Sequence, residues 1–250
     1  MVEELTFVQI SDTHFLALNS EVMGVRPDVQ LARVLARIAA LPTPPRFVLH
    51  TGDLTHDSGV AGYAHLRHAL APLGLPLVAT LGNHDDRMAF RRGFLKEPDG
   101  DDRRYYGVHV FDGLRVIALD SLVPGAVAGE VGREQLAWLA DVLAQPAPRG
   151  TIIALHHPVA LAGFSYLAAE LLRDAPALAA VLAPHPLLGV LAGHCHAPSV
   201  TAFAGTTVVT APSVACQFAP DTADAVISPA SGFNLCTIRA GALLVTAVMV

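Results

Sequence analysis

Short apolar runs that end in polar, glycine-containing turns recur along this chain, and amphipathic stretches separate the first several of them. Leu5 to Ile10 has the length and composition of a strand, and Leu31, Val34, Leu35 and Ile38 then return at the spacing of one helix face. Phe47 to Leu49 reads as a second short strand, followed by a helix beginning near Ser58 and a strand over Leu77 to Leu81. Arg115 to Leu119, Thr151 to Leu155 and Leu187 to Leu191 supply three more apolar runs, while Leu136, Leu139, Ala140 and Leu143 mark another helix. From Ser199 onward the pattern changes. Thr206 to Thr210, Phe233 to Ile238 and Ala242 to Val248 follow one another without a helix between them and read as antiparallel strands. The architecture this predicts is two packed sheets with helices outside, in one domain over residues 1–250.

Composition sharpens that picture. The chain is 52% hydrophobic and 15% charged, with a mean hydropathy of +0.47, which suits strands covered on both faces by helices. The two most apolar stretches do not suit a bilayer: Ala177 to Ala192 is interrupted by Pro184, His185 and Pro186, and Ala240 to Val250 is too short. The first residues carry two glutamates and no basic start or small-residue cleavage site, so the expected location is the cytoplasm. Cys195, Cys216 and Cys236 are an odd, scattered set that fits a reducing compartment better than a disulfide framework. A net charge of −6 offers no basic footprint for a nucleic-acid duplex. The charged, glycine-punctuated segment 86–106 reads as a solvated helix and loop rather than a substrate lid.

Twelve histidines are the compositional oddity, and five of the apolar runs end where metal-ligating residues stand. The groups are Asp12-Thr13-His14, Gly52-Asp53, Gly82-Asn83-His84-Asp85, His156-His157-Pro158 and Gly193-His194-Cys195-His196. In α/β sheets the loops leaving the carboxyl ends of strands converge on one crevice, so residues distant in sequence can share one site. Asp12 and His14 are two apart, as are His194 and His196, which on an extended backbone puts each pair on one side and turns Thr13 and Cys195 away. A lone Asp-x-His or Gly-Asp at a strand end is an ordinary turn. Gly-Asn-His-Asp says more, because a turn has no use for the histidine, and Gly-His-x-His says more again. Two carboxylates, four imidazoles and one amide oxygen form an N/O donor set without thiolate, suited to Mn, Fe, Co or Zn rather than Ca. If one carboxylate bridges, two ions each receive four protein donors and keep positions open for water and substrate, the arrangement that supplies a hydroxide nucleophile and Lewis-acid charge to a phosphate ester.

In this order the motifs resemble those of the calcineurin-like metallophosphoesterases, over about Gln9 to His196. The wording around them is most similar to the bacterial class III cyclic nucleotide phosphodiesterases: Ile10-Ser11-Asp12-Thr13-His14, Thr51-Gly52-Asp53-Leu54, Gly82-Asn83-His84-Asp85-Asp86-Arg87, Leu119-Asp120 with Val123-Pro124-Gly125 and Gly129-Glu130, and Leu155-His156-His157-Pro158. The resemblance implies a four-layer α/β/β/α sandwich with two mixed β-sheets flanked by helices. It implies that Asp12, His14 and His196 hold one ion, that Asn83, His156 and His194 hold the other, and that Asp53 bridges them, the metals being Mn or Fe first and Zn or Co next. It also implies a catalytic, non-ligating role for His84 and a supporting place for His157. Asp85 is expected either to orient an imidazole or to serve the turn, Cys195 to be a small buried filler, and His56 to be the one remaining histidine near enough to reach substrate.

The activity this predicts is hydrolysis of a small soluble phosphodiester, 3′,5′-cyclic nucleotides first. The alternatives are 2′,3′-cyclic nucleotides or glycerophosphodiesters, and then a non-catalytic binding module that keeps the fold. Neither a membrane nor a nucleic-acid duplex is an expected partner, and a homodimer is left open. Arg87 is the cation nearest the motifs, and the pocket walls are expected over Asn19 to Arg26, Val159 to Glu170 and around Cys216.

Overall fold

The structure, a computed structural model, describes residues 4–16, 19–57, 59–161 and 163–250. In chain order the strands are β1 (Leu5–Ile10), β2 (Val48–Thr51), β3 (Leu77–Thr80), β4 (Gly107–Phe111), β5 (Leu114–Ala118), β6 (Thr151–Ala154), β7 (Gly189–Ala192), β8 (Ser199–Phe203), β9 (Thr206–Thr210), β10 (Gln217–Phe218), β11 (Ile227–Ser228), β12 (Gly232–Arg239) and β13 (Ala242–Met249). The helices are α1 (Pro27–Ala39), α2 (Val60–Leu70), the single turn α3 (Arg87–Phe90), α4 (Arg133–Leu143) and α5 (Ala175–Leu182).

One large sheet has the order β13-β12-β1-β2-β3 and a second β4-β5-β6-β7-β9-β8, with β10 and β11 forming a separate two-stranded ribbon. Both are mixed: β1, β2 and β3 run parallel while β12 and β13 are antiparallel, and β5, β6, β7 and β9 run parallel between antiparallel edges β4 and β8. Strand side chains alternate between faces. Leu5, Phe7, Phe47, Leu49 and Val78 of the first sheet therefore meet Val116, Ile152, Ala154 and Leu191 of the second in one buried layer. On the outer face of the first sheet Val8, Ile10 and Val48 pack against Leu31, Val34 and Ile38 of α1 and Leu66 of α2. Ile117, Ile153 and Val190 likewise pack against Leu136 and Leu139 of α4 and Leu178 of α5. Three apolar layers between four structural layers make the α/β/β/α sandwich. Proline at its start, Asp28 in its first turn and Arg37 in its last suit α1 to its ends.

Most of the apolar runs became the strands and helices they predict. The helix expected near Ser58 is described from Val60, and Ser58 itself lies outside the described residues. The run Thr206 to Thr210 is antiparallel to β8 but parallel to β7, so the carboxyl-terminal third is not a simple antiparallel meander. Edge strands β4 and β8 carry no sequence signal because their valines point outward: Val110 is 64% and Val200 73% exposed. Segment 86–106 is solvated only in part: Lys96 to Asp99, Asp102 and Arg103 are exposed, but its helical start is packed in. Phe90 is fully buried, and Phe94 and Tyr105 pack with it against the first helical layer. No helix among the described residues is long and apolar enough to cross a membrane.

Candidate metal centre

All five motifs sit on loops that leave β1, β2, β3, β6 and β7 at their carboxyl ends, where parallel strands deliver ligand sites. The extended backbone expected for the Asp12/His14 and His194/His196 pairs is not what aligns them. Asp12, His14, Asp53, His194 and His196 have φ of 52°, 42°, 52°, 73° and 50°, left-handed conformations that cost a non-glycine residue about 1 to 3 kcal/mol each. Hydrogen bonds hold them there: Asp12 N donates to Gly52 O (3.0 Å) and His14 N to Asp53 O (3.0 Å), while His194 N donates to Asp12 Oδ1 (3.1 Å) and Ser213 Oγ to Asp12 O (3.0 Å).

The donor atoms converge in two nests. In the first, His14 Nε2 lies 2.9 Å from His196 Nε2 and Asp12 Oδ1 3.6 Å from His196 Nε2. In the second, Asn83 Oδ1 lies 3.2 Å from His156 Nε2 and 3.0 Å from His194 Nδ1. Asp53 Oδ2 stands between them, 3.7 Å from His14 Nε2 and 3.4 Å from His156 Nε2. Donors about 2.0 to 2.2 Å from one ion are separated from one another by about 3 to 3.5 Å, so the spacing fits two ions that share a carboxylate. Two of the outer imidazole nitrogens are spoken for. His156 Nδ1 donates to Thr51 O (2.7 Å) and His196 Nδ1 to Cys216 O (3.0 Å), which leaves the Nε2 lone pairs facing inward.

His157 belongs to the same cluster by distance, but its nitrogens are bound to Ser121 Oγ (2.8 Å) and Val127 O (2.9 Å), away from the nests. Asp85 serves the turns. It accepts from Leu54 N (3.1 Å), Thr55 N (3.3 Å), Gly82 N (2.9 Å) and Tyr63 Oη (2.8 Å), and so clamps the Asp53 and Asn83 turns to each other. Thr13 and Cys195 do turn away: Thr13 Oγ1 bonds His50 Nε2 (3.0 Å), and Cys195 packs with Phe164, Leu167 and Ala197, its thiol pushed up to about 11 by burial. Arg87 is not available to a substrate. Its guanidinium makes a buried, two-pronged pair with Asp120 at 2.7 and 2.9 Å.

His84 occupies the half-open side. Its backbone N–H donates to Asp53 Oδ1 (2.9 Å), its Nδ1 faces His56 O at 3.4 Å, and its ring lies edge-on to His14 with centroids 4.8 Å apart. Of the expected walls, Met23 Sδ reaches Cys216 Sγ (3.9 Å) and Phe164 lines a cleft of about 420 Å³ with Pro198, Phe218 and Met249. Phe218 also stacks on His196 at 4.2 Å. Neither it nor Tyr63 carries a sequence signal: Phe218 stands in the two-residue strand β10, and Tyr63 reads as one more apolar position of α2. A separate cavity of about 670 Å³ beside Arg115, Gly150 and Thr151 lies at the opposite strand ends and touches none of the motifs.

The charges of the centre fit a cation. Burial opposes the Asp53 charge, yet His156 and His14 hold its carboxyl well below the ordinary range. Burial likewise opposes a proton on His156, yet Asp53 lifts it to about 9. Burial lowers His194 to about 3 and His196 to about 4, and raises Asp12 to about 7. In the metal-free protein a proton on His156 therefore sits between Asp53 and Asn83, in the position where lone pairs from both sides would meet an ion.

The profile of the calcineurin-like phosphoesterases matches residues 5–198, and the chain belongs to that family. It is 40% identical over 210 residues to a probable cyclic nucleotide phosphodiesterase of Rhodococcus erythropolis, covering 82% of this chain and 69% of that one. A cAMP/cGMP dual specificity phosphodiesterase of Mycobacterium tuberculosis is 38% identical over 213 residues, 82% of this chain and 66% of its own. The chain thus spans about two thirds of the length of both. A 3′,5′-cyclic adenosine monophosphate phosphodiesterase of Escherichia coli K12 is 32% identical over 236 residues, 94% of this chain and 82% of that one. Among solved structures, the purple acid phosphatase of yellow lupin superposes with a TM-score of 0.67 at 14% identity, covering 99% of this chain and 52% of its own. A Thermus thermophilus protein does so at 0.59 and 15%, covering 98% and 99%. At those identities the likeness concerns the fold alone.

Proposed function

We propose that this chain, acting as one domain, hydrolyses 3′,5′-cyclic nucleotides to 5′-nucleotides at a centre of two transition-metal ions, Mn or Fe first and Zn or Co next. Asp12, His14 and His196 would hold one ion, Asn83, His156 and His194 the other, and Asp53 would be shared between them. The observation that carries this reading is the position of Asp53 Oδ2 between His14 Nε2 and His156 Nε2, at 3.7 and 3.4 Å. Bound there, two ions would place positive charge on the phosphoryl oxygens and acidify a water. The side chains do the rest. The outer carbonyls of Thr51 and Cys216 fix His156 and His196 in the ligating tautomer. His84, with Nδ1 toward the carbonyl of His56, presents Nε2 to the substrate and delivers a proton or hydrogen bond to the departing ribose oxygen.

A diester suits this centre. It carries one negative charge, whereas a monoester carries two and gains from an arginine clamp, and the arginine beside the motifs is already committed to Asp120. The names of the relatives favour cyclic nucleotides among diesters. The test is a panel of 3′,5′-cyclic AMP and GMP, 2′,3′-cyclic AMP, glycerophosphocholine and bis(p-nitrophenyl) phosphate, run on Mn²⁺-loaded and chelator-stripped protein. The highest kcat/KM falls on a 3′,5′-cyclic nucleotide. Preference for a 2′,3′-cyclic nucleotide or glycerophosphodiester would move the substrate assignment, and silence on every diester would leave a binding module.

A further inference from the structure

His56 lies outside the five motifs, yet backbone hydrogen bonds bring it onto two of their histidines. The loop after β2 runs alongside the loop after β1: Phe15 N donates to Leu54 O (3.0 Å), His56 N donates to Phe15 O (3.3 Å), and Phe15 and Thr55 form a parallel bridge. This register brings His56 Nδ1 within 3.2 Å of His14 Nδ1. The same ring stacks on His84 with centroids 4.7 Å apart and planes 20° from parallel, and the His56 carbonyl faces His84 Nδ1 at 3.4 Å.

Two neutral imidazole nitrogens at hydrogen-bond distance share one proton, so one donates and the other accepts. The inward nitrogen of His14 settles which. Its Nε2 lies 2.9 Å from His196 Nε2 and 3.7 Å from Asp53 Oδ2, among the donors of the first nest. A ligating Nε2 offers a lone pair, so the proton of His14 stands on Nδ1 and His56 Nδ1 is the acceptor. His56 then carries its own proton on Nε2. His156 and His196 use backbone carbonyls for this purpose, and His14 uses a side chain. We infer that His56 is a positioning residue: its Nδ1 accepts the Nδ1–H of His14, fixing the tautomer and ring plane of that ligand, while its ring face and carbonyl hold His84 beside it. The inference rests on the two-ion reading of the centre and is independent of which diester is cleaved.

Substitution separates the parts, because asparagine carries Oδ1 on Cγ where histidine carries Nδ1. His56→Asn keeps an acceptor without the ring, His56→Phe keeps the ring face without an acceptor, and His56→Ala keeps neither. Each full-length, metal-stripped variant is titrated calorimetrically with Mn²⁺. Near-UV circular dichroism confirms the native fold, and nitrogen NMR of the Zn²⁺-loaded protein follows the His14 Nδ1–H. Loss of an outer partner of a ligating histidine weakens metal binding by about 10- to 100-fold. His56→Ala and His56→Phe are expected to show that loss at one of two Mn²⁺ equivalents and to lose the protected Nδ1–H, while His56→Asn stays within about threefold of wild type. Unchanged affinity in His56→Ala, or equal losses in His56→Asn and His56→Ala, would overturn the assignment. So would the disappearance of a third equivalent, since it would make His14, His56 and His84 an ion site of their own. Wild-type protein that binds fewer than two Mn²⁺ overturns the centre itself and this inference with it.

Discussion

Gly82 and Asp53 face each other across the candidate centre with no room for a methyl group between them. A Cβ on Gly82 would overlap Asp53 Oδ1 and lie 2.6 Å from Asp53 N and 2.7 Å from His156 Nε2. Asp85 fixes both turns by accepting from Gly82 N and Leu54 N, so neither can withdraw. Gly82→Ala is therefore expected to displace the Asp53 carboxylate, at about 1 to 3 kcal/mol for overpacking, and to lower bound metal and turnover together. Metal analysis of the purified variant checks this. A full complement of ions would show that the turn yields.

The role of His84 separates from metal binding because Asn83 is the proposed donor at that turn. His84→Ala should keep both ions and lose about 10²- to 10⁴-fold in kcat on cyclic AMP, the range for a removed general acid or oxyanion donor. Bis(p-nitrophenyl) phosphate has a leaving group that needs little protonation, so the loss there should be much smaller. Equal losses on both substrates would assign His84 to charge stabilisation at phosphorus instead.

The elements that deliver the centre were legible because their apolar runs are continuous and end in groups that turns alone do not need. Gly-Asn-His-Asp and Gly-His-x-His spell out donors in sequence. What holds those donors did not show, because it is made by contacts between distant loops. Asp85 reads as a turn residue until Tyr63 Oη and two backbone N–H groups of another loop are seen to bind it. Arg87 reads as the cation nearest the motifs until Asp120, on the loop after β5, is seen to take it. The five left-handed ligand positions were invisible for the same reason, since nothing in Asp-x-His announces a backbone conformation enforced from outside.

The Arg87–Asp120 pair yields a stability prediction. Both side chains are buried, at 7% and 0% exposure, and Arg87 also donates to Leu122 O. Removing one partner of a buried pair strands the other charge, at about 3 to 5 kcal/mol. Arg87→Met should lower urea-unfolding stability by about that amount while leaving KM for cyclic AMP nearly unchanged in the folded fraction. A large rise in KM with stability intact would restore Arg87 to the substrate.

Buried histidines set the acid limit of the metal-free protein. Burial, with the His156 charge adding to it, lowers His50 from 6.5 to about 3. The unfolded chain takes up a proton that the native state refuses, so this contribution is complete above pH 6.5 and is lost as pH falls toward about 3, at about 1.4 kcal/mol per unit. Urea midpoints measured downward from pH 6.5 should fall, and His50→Asn should fall less steeply whatever its starting stability. Parallel slopes would show that His50 is protonated in the folded protein.

The proposed centre works only with two ions, shared through Asp53. Metal-stripped protein titrated with Mn²⁺ while cyclic AMP hydrolysis is followed tests it most directly. Turnover to 5′-AMP is expected to rise until two Mn²⁺ are bound per chain and then to stop rising, and Asp53→Ala to show no such plateau. Full activity at one ion per chain, or in the presence of excess chelator, would contradict it.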